Sequence, residues 1–223
     1  MPVTAFRADS NGVIMFNACL QCGAYRADKT IDPDNAVAIC PECGHRHPFL
    51  RLPLLIVSGA SGAGKSTISY ALLGHISQVV ILDCDILWRP EFNTPQDSYR
   101  AFFETWLRVC KNIAQSGRPV LLFGAGMGVP ENIEPCVERR YFSTIAYLAL
   151  VCEPATLAQR LQQRPAWRGS HTAAFITEQQ HFNHWFKTAK TTPPITLLDT
   201  TDASVENTAI AVSVWVHSKL NAA

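Results

Sequence analysis

The residues best suited to chemistry form the segment Gly59-Ala60-Ser61-Gly62-Ala63-Gly64-Lys65-Ser66, which matches the Walker A pattern G-x-x-x-x-G-K-[ST] at every fixed position. Glycines let backbone N–H groups approach phosphate oxygens at the positive end of the helix that follows. Lys65 is predicted to reach the β- and γ-phosphates, and the Ser66 hydroxyl to ligate a bridging Mg²⁺. Thr67 completes the predicted nucleotide-binding set. The alternative is a glycine-rich turn that binds nothing, which the Lys-Ser ending disfavours.

A pair of carboxylates, Asp83 and Asp85, ends an apolar run that begins at Val79 and predicts a buried parallel strand. The carboxyl ends of parallel strands face the ligand crevice of an open sheet, so we expect both side chains there. Two catalytic roles need carboxylates: support of Mg²⁺, predicted for Asp83, and orientation or deprotonation of an acceptor hydroxyl, predicted for Asp85. The two assignments can be exchanged, and a turn with a helix cap is the structural alternative.

Three arginines, Arg160, Arg164 and Arg168, lie in the stretch 154–177, which has no acidic residue. Guanidinium groups can pair bidentately with the charge on a transferring phosphoryl group, so these residues are predicted to act in catalysis as a closing lid. The spacing of four places Arg160 and Arg164 on one helix face, and Pro165 predicts a loop at Arg168. The alternative is a solvated basic helix.

Two C-x-x-C pairs near the amino terminus contain four of the eight cysteines: Cys19, Cys22, Cys40 and Cys43. Gly23 and Gly44 directly follow the second cysteine of each pair, where a positive φ is expected. The 17 residues between the pairs suit two thiolate knuckles that share one tetrahedral metal, and four sulfur ligands indicate structural Zn²⁺. The alternatives are ordinary core cysteines or a redox pair. His45 and His47 are further candidate ligands, but with four cysteines present we expect both histidines at the surface.

The charge balance bears on possible partners. The first fifty residues carry four basic against five acidic side chains, whereas a phosphate-binding ribbon would need a basic face. The whole chain has a net charge of +1, which gives no electrostatic case for nucleic acid or an anionic membrane. Nucleic acid is therefore an unlikely partner, and a structural or protein-contact role is predicted for the ribbon.

Length and composition predict one main domain with a small appendage, since 223 residues at 48% hydrophobic content can bury one sizeable core. The predicted boundaries are 1–50 for the zinc ribbon and 51–223 for the larger domain. No apolar run approaches the roughly 20 residues that cross a bilayer, and residues 1–17 lack the features of a signal peptide. No membrane association and a cytoplasmic location are therefore expected. The scattered remaining cysteines suit a reducing compartment.

The elements that must position these residues alternate along the chain. Strand patterns are predicted at 54–57, 79–85, 119–123, 144–152 and 195–199, and helix patterns at 65–73, 94–115, 155–164, 177–187 and 203–220. Thr94 and Asp202 are the predicted caps of the second and last helices. This alternation predicts an α/β fold with a parallel sheet.

Over about residues 52–220 the sequence resembles the P-loop kinases of small molecules and nucleotides, the nucleoside monophosphate, shikimate and gluconate kinase group. The resemblance rests on the Walker A segment and the D-x-D of the aspartate pair, followed by Cys152-Glu153-Pro154, the arginines after it and Asp199-Thr200-Thr201. It implies a P-loop NTPase fold with a five-stranded parallel sheet of order 2-3-1-4-5, helices on both faces, a mobile arginine lid and adenine near the loop after the last strand. Unlike adenylate kinase, the third strand ends in Phe123-Gly124 without a carboxylate.

The resulting expectation is transfer of the γ-phosphoryl group of ATP, with Mg²⁺, to a nucleotide, nucleoside or other small hydroxyl compound, in a protein that also holds Zn²⁺. The alternative is a P-loop ATPase switch, or a nucleic-acid-associated ATPase in which the ribbon provides recognition. A pocket between Trp88 and Trp106 is expected to select the acceptor. The sequence predicts neither the identity of the acceptor nor the oligomeric state.

Overall fold

The computed structural model describes residues 17–222, which contain two sheets, with helices packed around the larger one. The strands are β1 (Thr30–Asp32), β2 (Val37–Ile39), β3 (Arg46–Pro48), β4 (Leu54–Ser58), β5 (Val80–Asp83), β6 (Val120–Phe123), β7 (Ile145–Val151) and β8 (Ile195–Asp199). The helices are α1 (Lys65–Leu72), α2 (Arg100–Ala114), α3 (Pro130–Ile133), α4 (Pro154–Gln162), α5 (Ala173–Thr188) and α6 (Val205–Asn221). No helix in this described range combines the length and the apolarity needed to cross a membrane.

The larger sheet has five parallel strands in the order β5-β6-β4-β7-β8. Counted along the chain from β4, this is the order 2-3-1-4-5. The predicted fold class is therefore confirmed, including the position of the first strand at the centre. A central strand of a parallel sheet is covered on both faces, which explains why every residue of β4 is buried.

Alternate residues of β4 enter two different apolar layers, as the period of two in a strand requires. Leu54 and Ile56 pack in the layer that contains α2. Leu55 and Val57 pack in the layer formed with α1 and α6. Helices thus cover both faces, and the carboxyl end of β4 leads directly into the loop before α1.

Three predicted helix starts are wrong, and the local structure gives the reasons. Helix α5 begins at Ala173 rather than at 177, because the Thr172 hydroxyl oxygen accepts the N–H of Phe175 and caps the helix there. The second helix begins at Arg100 rather than at Thr94, because Ser98 and Tyr99 have φ values of 51° and 56° that interrupt a right-handed helix. The last helix is capped by Ser204, whose hydroxyl oxygen accepts the N–H of Asn207, and Asp202 lies outside it.

Two element ends also differ from the predicted ones. The second parallel strand stops at Asp83, since its carboxylate accepts the backbone N–H of Asp85 at 2.9 Å and starts the 3₁₀ turn Cys84–Leu87. Helix α4 ends at Gln162, so Arg160 and Arg164 do not share a helix face as expected. Arg164 lies just beyond the helix, where Pro165 prevents its continuation.

The smaller sheet is antiparallel, with the order β1-β2-β3. The Gln115 side chain, at the end of α2, bonds both the N–H and the carbonyl oxygen of Leu50, at 2.8 and 3.0 Å. The Tyr141 hydroxyl donates to the carbonyl oxygen of Ala27 at 2.9 Å. Polar contacts therefore join the segments beside the small sheet to the end of α2 and to the turn Val137–Tyr141, while the domain boundary at residue 50 stays a prediction.

Candidate functional site

The glycine-rich loop, residues 59–66, connects β4 to α1 and wraps the amino-terminal end of that helix. Gly62 and Gly64 have φ values of 92° and 105°, a region that residues with a side chain rarely adopt. A side chain at Gly59 would collide with the carbonyl oxygen of Leu150 on β7. The first N–H groups of α1 have no acceptor within the helix, so the loop presents donors to an anion.

Lys65 is bound to this loop by its own side chain. Its Nζ donates to the carbonyl oxygens of Gly59 and Ala60, at 2.7 and 3.0 Å. Burial lowers the pKa of Lys65 to about 8, against the opposing effect of the nearby carboxylates Asp85 and Asp83. An ammonium group whose charged form is disfavoured by burial has much to gain from a phosphate.

The aspartate pair lies next to the same helix start. The Ser66 hydroxyl donates to Asp83 Oδ2 at 3.5 Å, and the other Asp83 oxygen holds the turn that follows β5. Oxygens of Asp83 and Asp85, with the Cys84 sulfur between them, lie within 4.8 Å of one another. Asp85 is exposed and Cys84 is buried, and burial raises the pKa of the Cys84 thiol. Only the carboxylates are therefore available to a hard cation such as Mg²⁺.

The three arginines have different surroundings. Arg160 donates from its two Nη atoms to the hydroxyl and carbonyl oxygens of Thr200, at 3.1 and 2.6 Å. Burial, with the nearby charge of Arg168, lowers the pKa of Arg164. Arg168 is exposed and lies 5.2 Å from the centre of the Trp167 ring. Arg160 is thus fixed to the loop after β8, while Arg168 has the freedom that a lid residue needs.

A cavity of about 320 Å³ opens beside the glycine-rich loop. Its lining includes Gly64, Thr67, Arg160, Arg164 and Thr200. It therefore joins the predicted phosphate-binding residues to two of the predicted lid arginines and to the loop after the last parallel strand. Its size and mixed polarity suit a small polar ligand with an apolar part.

The four cysteines converge on one point. The Cys19 and Cys43 sulfurs are 3.7 Å apart, and the Cys22 and Cys40 sulfurs are 3.9 Å apart. Tetrahedral Zn²⁺ with Zn–S bonds of about 2.3 Å requires sulfurs about 3.8 Å apart, so these side chains fit that metal. All four are free thiols.

The backbone of the two cysteine knuckles has the expected positive φ values, but His47 does not lie at the surface as expected. Gly23 and Gly44 have φ values of 75° and 72°, and their N–H groups bond the carbonyl oxygens of Cys19 and Cys40. His47, expected at the surface, is 3% exposed, and its Nε2 is buried without a hydrogen-bond partner among the described residues. Its place on β3 turns the ring inward.

The prediction that a pocket between Trp88 and Trp106 selects the acceptor is also wrong in part. Trp106 is 1% exposed, and its indole N–H donates to the carbonyl oxygen of Cys84 at 3.1 Å. It therefore supports the aspartate turn from inside and does not line an open pocket. Trp88 is half exposed and packs edge-on against Phe102, close to Tyr99.

Sequence reasoning missed Gln179, a buried residue of α5 whose side chain contacts the glycine-rich loop. Asn183, one turn further along α5, bonds both backbone groups of Cys152. A signal was present, because these two amides fall at helical spacing between the apolar residues Ile176 and Phe186. Polar residues on a buried helix face must find partners, and such residues are candidates for contacts to backbone.

Comparison with known proteins gives matches among solved structures only. Neither a protein-family model nor a curated protein sequence matches the chain. A sugar kinase from Janibacter sp. HTCC2649 has a TM-score of 0.58 at 16% identity, over 78% of this chain and 99% of that one. Thymidylate kinase from Candida albicans has a TM-score of 0.50 at 13% identity, over 77% and 93%. The fold is that of the P-loop kinases.

A third match widens the range of functions found on this fold. The tunicamycin resistance protein of Deinococcus radiodurans has a TM-score of 0.55 at 13% identity, over 74% of this chain and 96% of that one. Identities this low show a common fold and leave the chemistry to be argued from the site.

Proposed function

We propose that the protein is an ATP-dependent phosphotransferase, which moves the γ-phosphoryl group to a nucleotide, nucleoside or other small hydroxyl compound. The observation that carries the proposal is the approach of Ser66 Oγ to Asp83 Oδ2, 3.5 Å apart at the start of α1. Neighbouring oxygen ligands of Mg²⁺ lie about 3 Å apart, so a small inward shift lets these two groups support the metal, directly or through water. They flank a loop whose N–H groups suit phosphate.

The remaining side chains have roles that follow from their positions. Lys65 exchanges its bonds to the loop carbonyls for bonds to the β- and γ-phosphates. Asp85, which is exposed next to the supported turn, accepts the proton of the acceptor hydroxyl as that oxygen bonds to phosphorus and ADP leaves. Arg164 and Arg168 meet the charge on the transferring group. Arg160 holds the loop after β8.

The proposed acceptor is a small hydroxyl-bearing compound, and both sugars and nucleotides are candidates. Two neighbours on this fold are a sugar kinase and a thymidylate kinase. Trp88 follows the aspartate turn and has an exposed ring braced by Phe102. We infer that this ring contacts the acceptor, since a fixed aromatic face suits either a sugar or a base.

The cysteine cluster is proposed to bind one structural Zn²⁺. The support is the sulfur spacing of 3.7 and 3.9 Å together with the two positive-φ glycines of the knuckles. The metal would hold the small sheet, whose Ala38 packs in a short apolar cluster with Phe49 and with Tyr141 of the larger domain. No step of phosphoryl transfer involves it.

The test is ATP consumption measured with and without nucleosides, nucleotides, sugar acids and aminoglycosides as acceptors. Lys65→Ala should abolish acceptor-dependent turnover while the fold persists, and Lys190→Ala, which changes an exposed lysine, is the matched control. Turnover that needs no acceptor and rises with protein or nucleic acid would support the ATPase switch instead. Unchanged turnover in Lys65→Ala would refute the proposal.

A further inference from the structure

Gln179 contacts the glycine-rich loop from a distant part of the chain. Its Oε1 accepts the backbone N–H of Ser61 at 2.8 Å, across 118 residues of sequence. The side chain is 9% exposed, so the bond is shielded from water. A buried amide that only filled space would destabilise the fold, because its polar groups would lose their hydration without gaining a hydrogen bond.

Helix α5 is fixed independently of this bond, so it can act as a support. Asn183 accepts the N–H of Cys152 at 3.1 Å and donates to its carbonyl oxygen at 2.8 Å. Ile176 packs with Ala60 of the loop and with Leu157 of α4. The helix therefore has one polar anchor on the end of β7 and one apolar contact with the loop, on either side of Gln179.

A second side chain holds the loop further along. The Thr200 hydroxyl lies 3.3 Å from the carbonyl oxygen of Ala63 and 3.2 Å from that of Val151, and it can donate to either. Thr200 is 4% exposed. Ser61 is therefore bonded to a group outside the loop, and Ala63, two residues further on, lies within hydrogen-bond distance of a second one.

We propose that Gln179 is a positioning residue, which holds the loop open in the shape that receives the phosphates of ATP. The inference rests on the proposed function. A loop of this composition has wide backbone freedom, and it would lose that freedom on binding unless the protein had already restricted it. Gln179 restricts it through the Ser61 N–H, so the donors that face the phosphates are in place beforehand.

The experiment compares Gln179→Leu, which removes the acceptor and keeps the volume, with Gln180→Leu. Gln180 is the neighbouring residue of α5, and its amide donates to Pro154 rather than to the loop. Two quantities are measured on the full chain: the Kd of Mg²⁺-ATP by calorimetry, and hydrogen exchange of the loop backbone without nucleotide. Gln179→Glu, which keeps an acceptor at the same place, is a second variant for the exchange measurement.

Gln179→Leu should raise the Kd of Mg²⁺-ATP about tenfold, the change expected for one hydrogen bond lost from a shielded site. It should also speed exchange in the loop, whereas Gln180→Leu should change neither quantity and Gln179→Glu should retain slow exchange. A wild-type protein that does not bind ATP would overturn the proposed function together with this inference. ATP binding by the wild type with an unchanged Kd in Gln179→Leu would overturn the inference alone, as would fast exchange in Gln179→Glu.

Discussion

Lys65 should take up a proton when ATP binds above neutral pH. In the free protein burial lowers its pKa to about 8, with Arg164 adding to the effect and Asp83 and Asp85 opposing it. The phosphates of ATP bring several negative charges to the ammonium group, so the pKa rises in the complex. At pH 8 about half of the lysine is neutral in the free protein, and binding should therefore take up close to half a proton per ATP.

The affinity for ATP should depend on pH through the same protonation of Lys65. Below pH 7 the lysine is already charged and should contribute no pH dependence to the Kd. Above pH 8 the Kd should rise by up to about tenfold per pH unit, because each binding event must first protonate Lys65. Calorimetry in buffers of different ionisation enthalpy measures the uptake directly. Lys65→Met should bind more weakly and show no uptake from this group.

The lowered pKa of Lys65 also predicts how the free energy of unfolding depends on pH. Because the folded pKa lies below the unfolded value of 10.5, the folded state binds fewer protons between about pH 8 and 10.5, and the free energy of unfolding should rise across that window. Below pH 8 the penalty is fully present, and a shift from 10.5 to about 8 corresponds to at most about 3 kcal/mol. Lys65→Met removes this penalty together with the two hydrogen bonds to loop carbonyl oxygens.

The stability of Lys65→Met relative to the wild type should therefore fall between pH 7 and pH 11, by up to about 3 kcal/mol, because only the wild type is relieved of the penalty as its lysine becomes neutral. Urea unfolding of both proteins at the two pH values gives this difference. If the difference between variant and wild type is the same at both pH values, or if the variant takes up as many protons on binding ATP as the wild type, the lysine is not the titrating group and the reasoning fails.

Three further predictions concern the other parts of the site. Metal analysis should find one zinc per chain, and Cys40→Ser should lose it and expose the small sheet to protease while the larger sheet stays folded; a metal-free folded wild type would contradict this. Asp83→Asn should raise the Mg²⁺ requirement and Asp85→Asn should mainly lower kcat, with the opposite pattern exchanging their roles. Arg168→Ala should lower kcat tens to thousands of fold with little change in Tm, whereas Arg160→Ala should also lower Tm because it removes the bonds to Thr200; near wild-type kcat and KM in Arg160→Ala, Arg164→Ala and Arg168→Ala alike would refute the lid.

The sequence predicted the parts of the site that depend on local backbone chemistry. The glycines of the loop and of the knuckles have the expected positive φ, because few other residues tolerate it. The order of the parallel strands followed from the resemblance to P-loop kinases, and the structure confirms it. The glycine positions belong to short motifs, so a pattern of eight residues or fewer can reveal them. The strand order depended on several such motifs in sequence.

Long-range contacts could not be predicted in the same way. Trp106 has the spacing of a core residue, and nothing in its neighbours shows that its N–H meets the Cys84 carbonyl oxygen. Gln179 lies 118 residues from Ser61, and Arg160 lies 40 from Thr200. Such bonds depend on how whole helices pack against the sheet. The pattern of α5 indicated a buried amide without naming its partner.

The described contacts divide the site into two halves with separate supports. Gln179 of α5 bonds the glycine-rich loop, which is the proposed nucleotide side. Trp106 of α2 bonds the carbonyl oxygen of Cys84 in the aspartate turn, the proposed acceptor side, and Gln115 at the end of the same helix bonds Leu50, where the chain leaves the small sheet. The segment that follows the small sheet is therefore bonded to the helix that supports the aspartate turn. Changes in α5 should alter ATP binding, and changes in α2 or in the small sheet should alter the acceptor step.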